Sequence, residues 1–219
     1  RIERKGSYFA NENPVMFPFG PPVYLDKLPE EIIRELDVLI EHLGGKPEFD
    51  ASGQLAGRIK KQTHLDEVIS ESVKEDILKH CALFYEQTTG GQELPMSAMT
   101  LDSIWSNIQE AREYNPIHQH TGNFSFVIYT RNDLEDLSVE ELQDNEYDNK
   151  IVDHDNQKPL AGLIELFYGE GNWMNWTSFT HVPKRGDILI FPSWLRHTVY
   201  AHYEAGKIRI SVAGNVSFK

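Results

Sequence analysis

Three of the nine histidines stand at spacings that suit a metal ion. His118 and His120 occur in Asn115-Pro116-Ile117-His118-Gln119-His120, just ahead of a strand-like run. In extended chain, residues two apart point to the same side, so this pair can clasp one ion. His197 comes far downstream, in Phe191-Pro192-Ser193-Trp194-Leu195-Arg196-His197. Two close ligands and one distant ligand are how a barrel puts a facial triad on one metal, leaving three adjacent positions for cosubstrate and oxygen. A His-x-His by itself is a weak signal, because core and surface histidines are common.

The C-terminal segment Lys207-Ile208-Arg209-Ile210-Ser211-Val212 adds a second element. Its alternation turns Ile208, Ile210 and Val212 one way and Arg209 and Ser211 the other. An arginine pointing into a barrel is costly unless it meets an anion. Its planar fork matches a carboxylate, and a nearby hydroxyl can add a hydrogen bond. Arg209 therefore suits the far carboxylate of a chelating diacid, with a structural ion pair to an acidic residue as the alternative.

Such residues need elements to position them. Ile32, Ile33, Leu36, Leu39, Ile40 and Leu43 make one helical face, with Pro29 in the first turn and Gly44-Gly45 at the end. A second helix is expected from about Ser72 to Gln87, capped by Ser72 with Glu75, with a stripe of Val73, Ile77, Cys81, Phe84 and Tyr85. Both faces call for a large apolar surface, most simply the outside of a sheet. From Met96 the period becomes strand-like: Ala98–Ile108, Phe124–Thr130, Leu160–Tyr168, Thr177–Val182, Asp187–Phe191, Thr198–His202 and Lys207–Ser217. The fold class is mainly β with N-terminal helices (α+β), a sandwich or barrel. One domain spans 1–219, with 1–95 as helical support and 96–219 as the barrel. An acidic loop, 132–158, interrupts it. A short helix capped by Ser138 with Glu141 is expected there, and a stretch this long suits a lid or a solvated insertion equally.

The bulk numbers exclude several classes. With 21 basic and 34 acidic residues the net charge is −13, which disfavours nucleic acid as a partner. The one cysteine, Cys81, sits in a helical stripe and suits core packing. A reducing, cytoplasmic setting is the natural expectation, with no membrane span and no secretory signal. The sequence begins at Arg1 rather than Met, so some residues are expected to precede it or to have been removed.

His118-x-His120, Ser125-Phe126-Val127-Ile128-Tyr129, Gly186-Asp187-Ile188-Leu189-Ile190-Phe191-Pro192-Ser193-Trp194-Leu195-x-His197, Arg209-Ile210-Ser211 and Asn215 together resemble the 2-oxoglutarate/iron(II)-dependent oxygenases of bacteria and tailed phages, relatives of the prolyl hydroxylases. The resemblance covers roughly residues 98–216, and Leu101 to Asn107 also fits it. It implies a double-stranded β-helix, a jelly-roll or cupin-like barrel supported by the two helices. It also implies a dioxygenase that takes Fe(II), 2-oxoglutarate and O2, hydroxylates an unidentified peptide or small molecule, and releases succinate and CO2. Carried over by position, His118 and His197 match iron ligands, Arg209 and Ser211 match the grip on the distal carboxylate of 2-oxoglutarate, and Tyr129 matches a tyrosine that bonds the same carboxylate. Asn107 and Asn215 are candidate cosubstrate contacts, and Trp194 is expected to pack under the His197 turn. The family pattern has Asp or Glu at position 120, where this chain has histidine. Either three imidazoles hold the iron, or His120 stands beside it and the third ligand lies elsewhere. A cupin-type metal enzyme and a non-catalytic ligand-binding barrel remain alternatives. The first cupin motif needs a glutamate soon after His-x-His, and Thr121–Val127 has none.

Overall fold

Strand alternation dictates a two-faced sheet, and the chain uses both faces. The computed structural model describes residues 14–16, 18, 20–53, 55–136, 152–153, 158–171 and 177–218. Its elements in order are β1 (Val15–Met16), β2 (Val23–Lys27), α1 (Glu30–Leu43), β3 (Lys61–His64), α2 (Glu71–Thr88), β4 (Met99–Gln109), β5 (Asn115–His118) and β6 (Phe124–Asn132). They continue with β7 (Val152–Asp153), β8 (Lys158–Pro159), β9 (Ile164–Phe167), β10 (Ser178–His181), β11 (Asp187–Pro192), β12 (Arg196–Val199) and β13 (Arg209–Phe218). A seven-stranded sheet runs β1-β2-β11-β6-β13-β4-β3, a four-stranded sheet runs β10-β9-β12-β5, and β7 pairs with β8. All these pairings are antiparallel. Two such sheets face to face form a double-stranded β-helix.

One face of the large sheet carries the main core. Ile104, Phe124, Phe126, Ile128, Ile188, Ile190, Val212 and Val216 pack against Ile32, Ile33, Leu36 and Ile40 of α1 and Val73, Ile77, Cys81 and Phe84 of α2. The helix faces thus lie on the outside of a sheet, as their periodicity requires. Cys81 is fully buried, and burial pushes its thiol up to about 12, which leaves it inert. No described helix is long and apolar enough to cross a membrane.

The opposite face meets the small sheet across a smaller core. Val23, Tyr129, Leu189 and Phe191 interlock there with Ile164, Leu166, Leu195 and Val199. Asp187 ties the two sheets at one end. It accepts from His181 Nε2 of β10 at 2.8 Å and from the Lys184 amide at 2.8 Å, and pairs with Lys27 of β2 at 2.6 Å.

Several expectations are corrected. The first 95 residues are not only helical support: β1, β2 and β3 extend the large sheet at both edges. They are two to five residues long, too short for a period to be read. The α2 cap is Ser70, whose hydroxyl accepts from the Val73 amide at 3.2 Å, rather than Ser72. The helix therefore starts at Glu71, with its cap two residues before the expected one. β5 was also absent from the expected strands, because Pro116 and its short length hide it. The expected helix at Ser138 lies outside the described residues.

Gly214 on β13 sits where a Cβ would meet Phe126 Cζ and Ser103 O, each at 2.5 Å. Gly214→Ala is expected to cost about 1–3 kcal/mol by overpacking, read as a lower urea midpoint with an unchanged slope. Asp187 is the pH-sensitive tie. Burial raises its carboxyl, but the bonds from His181 and Lys27 outweigh that and hold it below the ordinary carboxylate value. Its contribution is therefore present above the unfolded value near 4 and lost as pH falls through the lower folded value. Asp187→Asn should cost about 1–3 kcal/mol at neutral pH, discounted because Lys27 is mostly exposed, and the gap to wild type should close in acid. A gap that stays constant from neutral pH to below the folded value would contradict this.

Candidate active site

The polar half of the space between the sheets begins at β5 and β12. His118 pairs directly with His197, and Asn115 with Val199, so three residue steps along β5 match two along β12. This bulge turns Asn115 and His118 to the same side despite their odd spacing. His120 lies just beyond β5, held by its backbone amide donating to Ser193 O at 2.9 Å. The ring centroids of His118 and His197 are 4.3 Å apart, those of His118 and His120 4.8 Å, and those of His120 and His197 5.2 Å. One ligating nitrogen from each ring falls within 4.8 Å of the others. Among the described residues, no carboxylate joins this group.

The surroundings prepare these rings to ligate. His118 Nδ1 lies 2.7 Å from Pro116 O and His197 Nδ1 lies 3.0 Å from Leu195 O. A carbonyl only accepts, so both Nδ1 atoms carry the proton and Nε2 keeps its lone pair. Burial pushes His197 down to about 3 and His120 to about 4, each further lowered by His118. Burial lowers His118 too. All three are neutral imidazoles at neutral pH, the form that binds metal. Trp105 packs on His120 at 5.7 Å and Phe191 on His197 at 4.9 Å, fixing the rings.

From the histidines a cleft runs inward between the sheets, lined by Trp105, Asn107, Asn115, Val127, Tyr129, Ile164, Phe191, Val199, Arg209 and Ser211. It is narrow, with about 30 Å³ of free volume, so a carboxylate entering it sheds its water and must find partners in the walls. A much larger cleft, about 1030 Å³, lies between α1 and the outer face of the large sheet. Size does not make it the site. It contains no histidine, and its charged residues lie mostly at the surface in mixed sign.

At the inner end Arg209 is 2% exposed. Its Nη1 donates to Gly162 O at 3.0 Å, its Nε has no partner, and its Cζ lies 5.6 Å from the centre of the Tyr129 ring. Among the described residues it has no carboxylate partner. Tyr129 is fully buried, and its hydroxyl also lacks a partner. Burial pushes that hydroxyl up to about 12, against the pull of Arg209, so it is a neutral donor. A bulge between Ile210 and Ser211 sets Tyr129 directly opposite Ser211. The alternation expected for β13 holds: Arg209 and Ser211 line the cleft, while Ile210 and Val212 pack on the helix side. A buried cation and a buried hydroxyl that both want an acceptor fit a carboxylate, and three bare imidazole nitrogens fit a divalent transition metal.

Other expected residues fall elsewhere. Asn215 accepts from Ser125 Oγ at 2.8 Å and donates to Ser103 Oγ at 3.1 Å, so both ends of its amide are spent on protein. Trp194 is not under the turn. It is half exposed and meets Tyr168 edge-on at 5.9 Å. Sequence reasoning missed the cleft residues Trp105 and Asn115. An asparagine beside proline reads as a turn, and the bulge that aims it inward has no sequence signature.

The fold is shared with solved oxygenases. A Pseudomonas putida prolyl-4-hydroxylase superposes with a TM-score of 0.55 at 13% identity, covering 90% of this chain and 92% of that one. The non-heme alpha ketoglutarate dependent epimerase SnoN from nogalamycin biosynthesis gives 0.54 at 12% identity, covering 90% and 80%. The viral collagen prolyl hydroxylase of Paramecium bursaria Chlorella virus-1, solved with 2OG, gives 0.50 at 11% identity, covering 89% and 96%. No curated protein matches the chain in sequence. Residues 103–215, just over half of the chain and including all three histidines and Arg209, match the family described as "Putative 2OG-Fe(II) oxygenase". By that match the chain belongs to the 2-oxoglutarate/iron(II) oxygenase family.

Proposed function

We propose that this chain is a 2-oxoglutarate- and Fe(II)-dependent dioxygenase in which His118, His120 and His197 hold the metal. In this reading Arg209, Tyr129 and Ser211 hold the cosubstrate. The observation that carries it is the buried Arg209 guanidinium, which faces no carboxylate among the described residues yet closes a cleft that opens on three convergent imidazoles. A structural arginine would be expected to carry its own counter-ion.

Iron(II) and 2-oxoglutarate bound there would supply the oxidising power to put one oxygen atom of O2 into a substrate C–H bond, the other going into succinate as the diacid loses CO2. The chain's own part is position and exclusion of water. The carbonyls of Pro116 and Leu195 hold the tautomers of His118 and His197, so each presents Nε2. Arg209 takes the distal carboxylate through its fork, and the Tyr129 hydroxyl donates to the same group. Ser211, directly across from Tyr129, adds a third donor. Phe191, Ile164 and Val199 form the dry wall beside them. Histidine at 120 supplies a third neutral nitrogen where the wider pattern has a carboxylate. The cupin alternative lacks a glutamate at the cluster, and Arg209 has no role in it.

Iron(II) added anaerobically should bind at one equivalent per chain, and adding 2-oxoglutarate should produce a metal-to-ligand charge-transfer band. His197→Ala should abolish metal binding, and unchanged affinity in that variant would show that the site lies elsewhere. Arg209→Ala should leave iron binding intact but weaken 2-oxoglutarate by about 2–5 kcal/mol. That is roughly 30-fold to several-thousand-fold, with Arg209→Lys recovering part of the loss. Arg209→Met removes an unpaired buried charge, so the ligand-free protein should melt no lower than wild type while losing its response to 2-oxoglutarate. Equal 2-oxoglutarate affinity in wild type and all three variants would sink the role given to Arg209.

A further inference from the structure

The cleft has a second polar wall that neither the metal nor the diacid uses. Across the large sheet, Tyr129, Ser211, Asn107 and Gln62 are successive neighbours on β6, β13, β4 and β3. Tyr129 and Ser211 belong to the cosubstrate end; Asn107 and Gln62 lie away from it, towards the β3 edge. Gln62 is 3% exposed, and its Nε2 donates to Asn107 Oδ1 at 2.7 Å. With its oxygen spent on Gln62, the Asn107 amide keeps its NH2 for the cleft it lines. Facing this region from the small sheet is Asn115, on the same inward side of β5 as His118. Asn115 Oδ1 is buried and accepts no hydrogen bond from the described residues.

Gly57 explains why that oxygen can sit there. A Cβ on Gly57 would lie 2.2 Å from Asn115 Oδ1 and 3.2 Å from Gln62 Nε2. Any side chain at 57 would displace the Asn115 amide. The backbone at Gly57 has no positive φ that would itself demand glycine. The close approach is therefore the requirement that position 57 meets. A buried carbonyl oxygen left without a donor costs free energy in the folded protein, and a ligand that supplies the donor recovers it.

We propose that Asn115, with Asn107 held by Gln62, forms a subsite beside the histidines for an amide group of the oxidised substrate. Asn115 Oδ1 accepts from the substrate N–H, and Asn107 Nδ2 donates to its carbonyl. One acceptor and one donor on a narrow wall are complementary to a peptide or carboxamide group. A carboxylate brings no hydrogen to Asn115. An ester or tertiary amide lacks the N–H and would leave Oδ1 unsatisfied. This assignment rests on the oxygenase reading for its purpose, but the wall itself belongs to the chain.

The test uses N-methylacetamide as probe and N,N-dimethylacetamide as control, followed by saturation-transfer NMR. Both metal-free protein and protein loaded with zinc(II) and 2-oxoglutarate are used. A fragment this small binds at best in roughly the millimolar range. The secondary amide should bind wild type at least about tenfold more tightly than the dimethyl compound. Asn115→Ala should abolish that preference. Gly57→Ala should do the same at small cost to folding, because the displaced atom is the end of a flexible side chain, and its melting temperature checks this. Equal binding of the two amides to wild type, absence of binding by either, or a preference that survives Gly57→Ala would overturn the subsite. Metal and 2-oxoglutarate titrations on the same samples report separately on the oxygenase reading. Loss of loading with the amide preference retained condemns that reading alone, and normal loading without the preference condemns the subsite alone.

Discussion

The architecture depends on one division of space: the gap between the two sheets is packed and dry on one side and polar and open on the other. Val23, Leu189 and Phe191 of the large sheet meet Ile164, Leu166 and Val199 of the small one in the packed half. The polar half holds Arg209, Tyr129, Ser211, Asn107 and the histidines. A gap packed throughout would hold two sheets together well and bind nothing. The cost of leaving half of it polar is offset on the far side of the large sheet, where both helices bury their apolar faces. The helices therefore do more than decorate the barrel. They supply the hydrophobic burial that the reactive interior gives up.

The same division explains a charge contrast. The chain carries a net charge of −13, yet no described residue lining the cleft is acidic. The lining offers imidazoles held neutral by burial, donors on Tyr129 and Ser211, and one buried cation. Histidine in place of a carboxylate at 120 takes this further, because a divalent metal held by three neutral rings keeps its full charge. With a metal bound at the histidines, as proposed, such a cleft would attract a dianion from both ends at once, the metal at the mouth and the guanidinium at the base. Net charge describes the solvated exterior and says little about a desolvated interior.

Much of this was legible in the sequence, and the residues show why. The faces of α1 and α2 repeat regularly, and the inward side of β13 alternates strictly, so Arg209 and Ser211 could be placed without a structure. The grouping of His118 and His120 followed from a two-residue spacing and a strand-like context, while His197 was added by the family resemblance and the part of His120 was left open. Short polar strands such as β3 carry no such period, and their pairing is decided by the neighbouring β4. The Ser70 cap has Val73, not an acidic residue, three positions on, so the capping-box pattern pointed to Ser72 with Glu75 instead. Asn115 was invisible because what singles it out is an orphaned oxygen, a property of three-dimensional surroundings and not of residue type.

Bulges link the regular sheet to the irregular site. Perfect alternation would send Asn115 and His118 to opposite faces, since they are an odd number of residues apart. The irregular step between His197 and Val199 removes that conflict. On the large sheet the irregularity between Ile210 and Ser211 skips Thr130, which brings Tyr129 level with Ser211 while Asn132 faces Arg209. Each bulge thus shifts one strand against its neighbour by a residue, and each lies next to a cluster that needs inward side chains closer together than a regular ladder provides. The sheets supply rigidity, and the defects in their registers set the directions in which the histidines, Asn115, Tyr129 and Ser211 face the cleft.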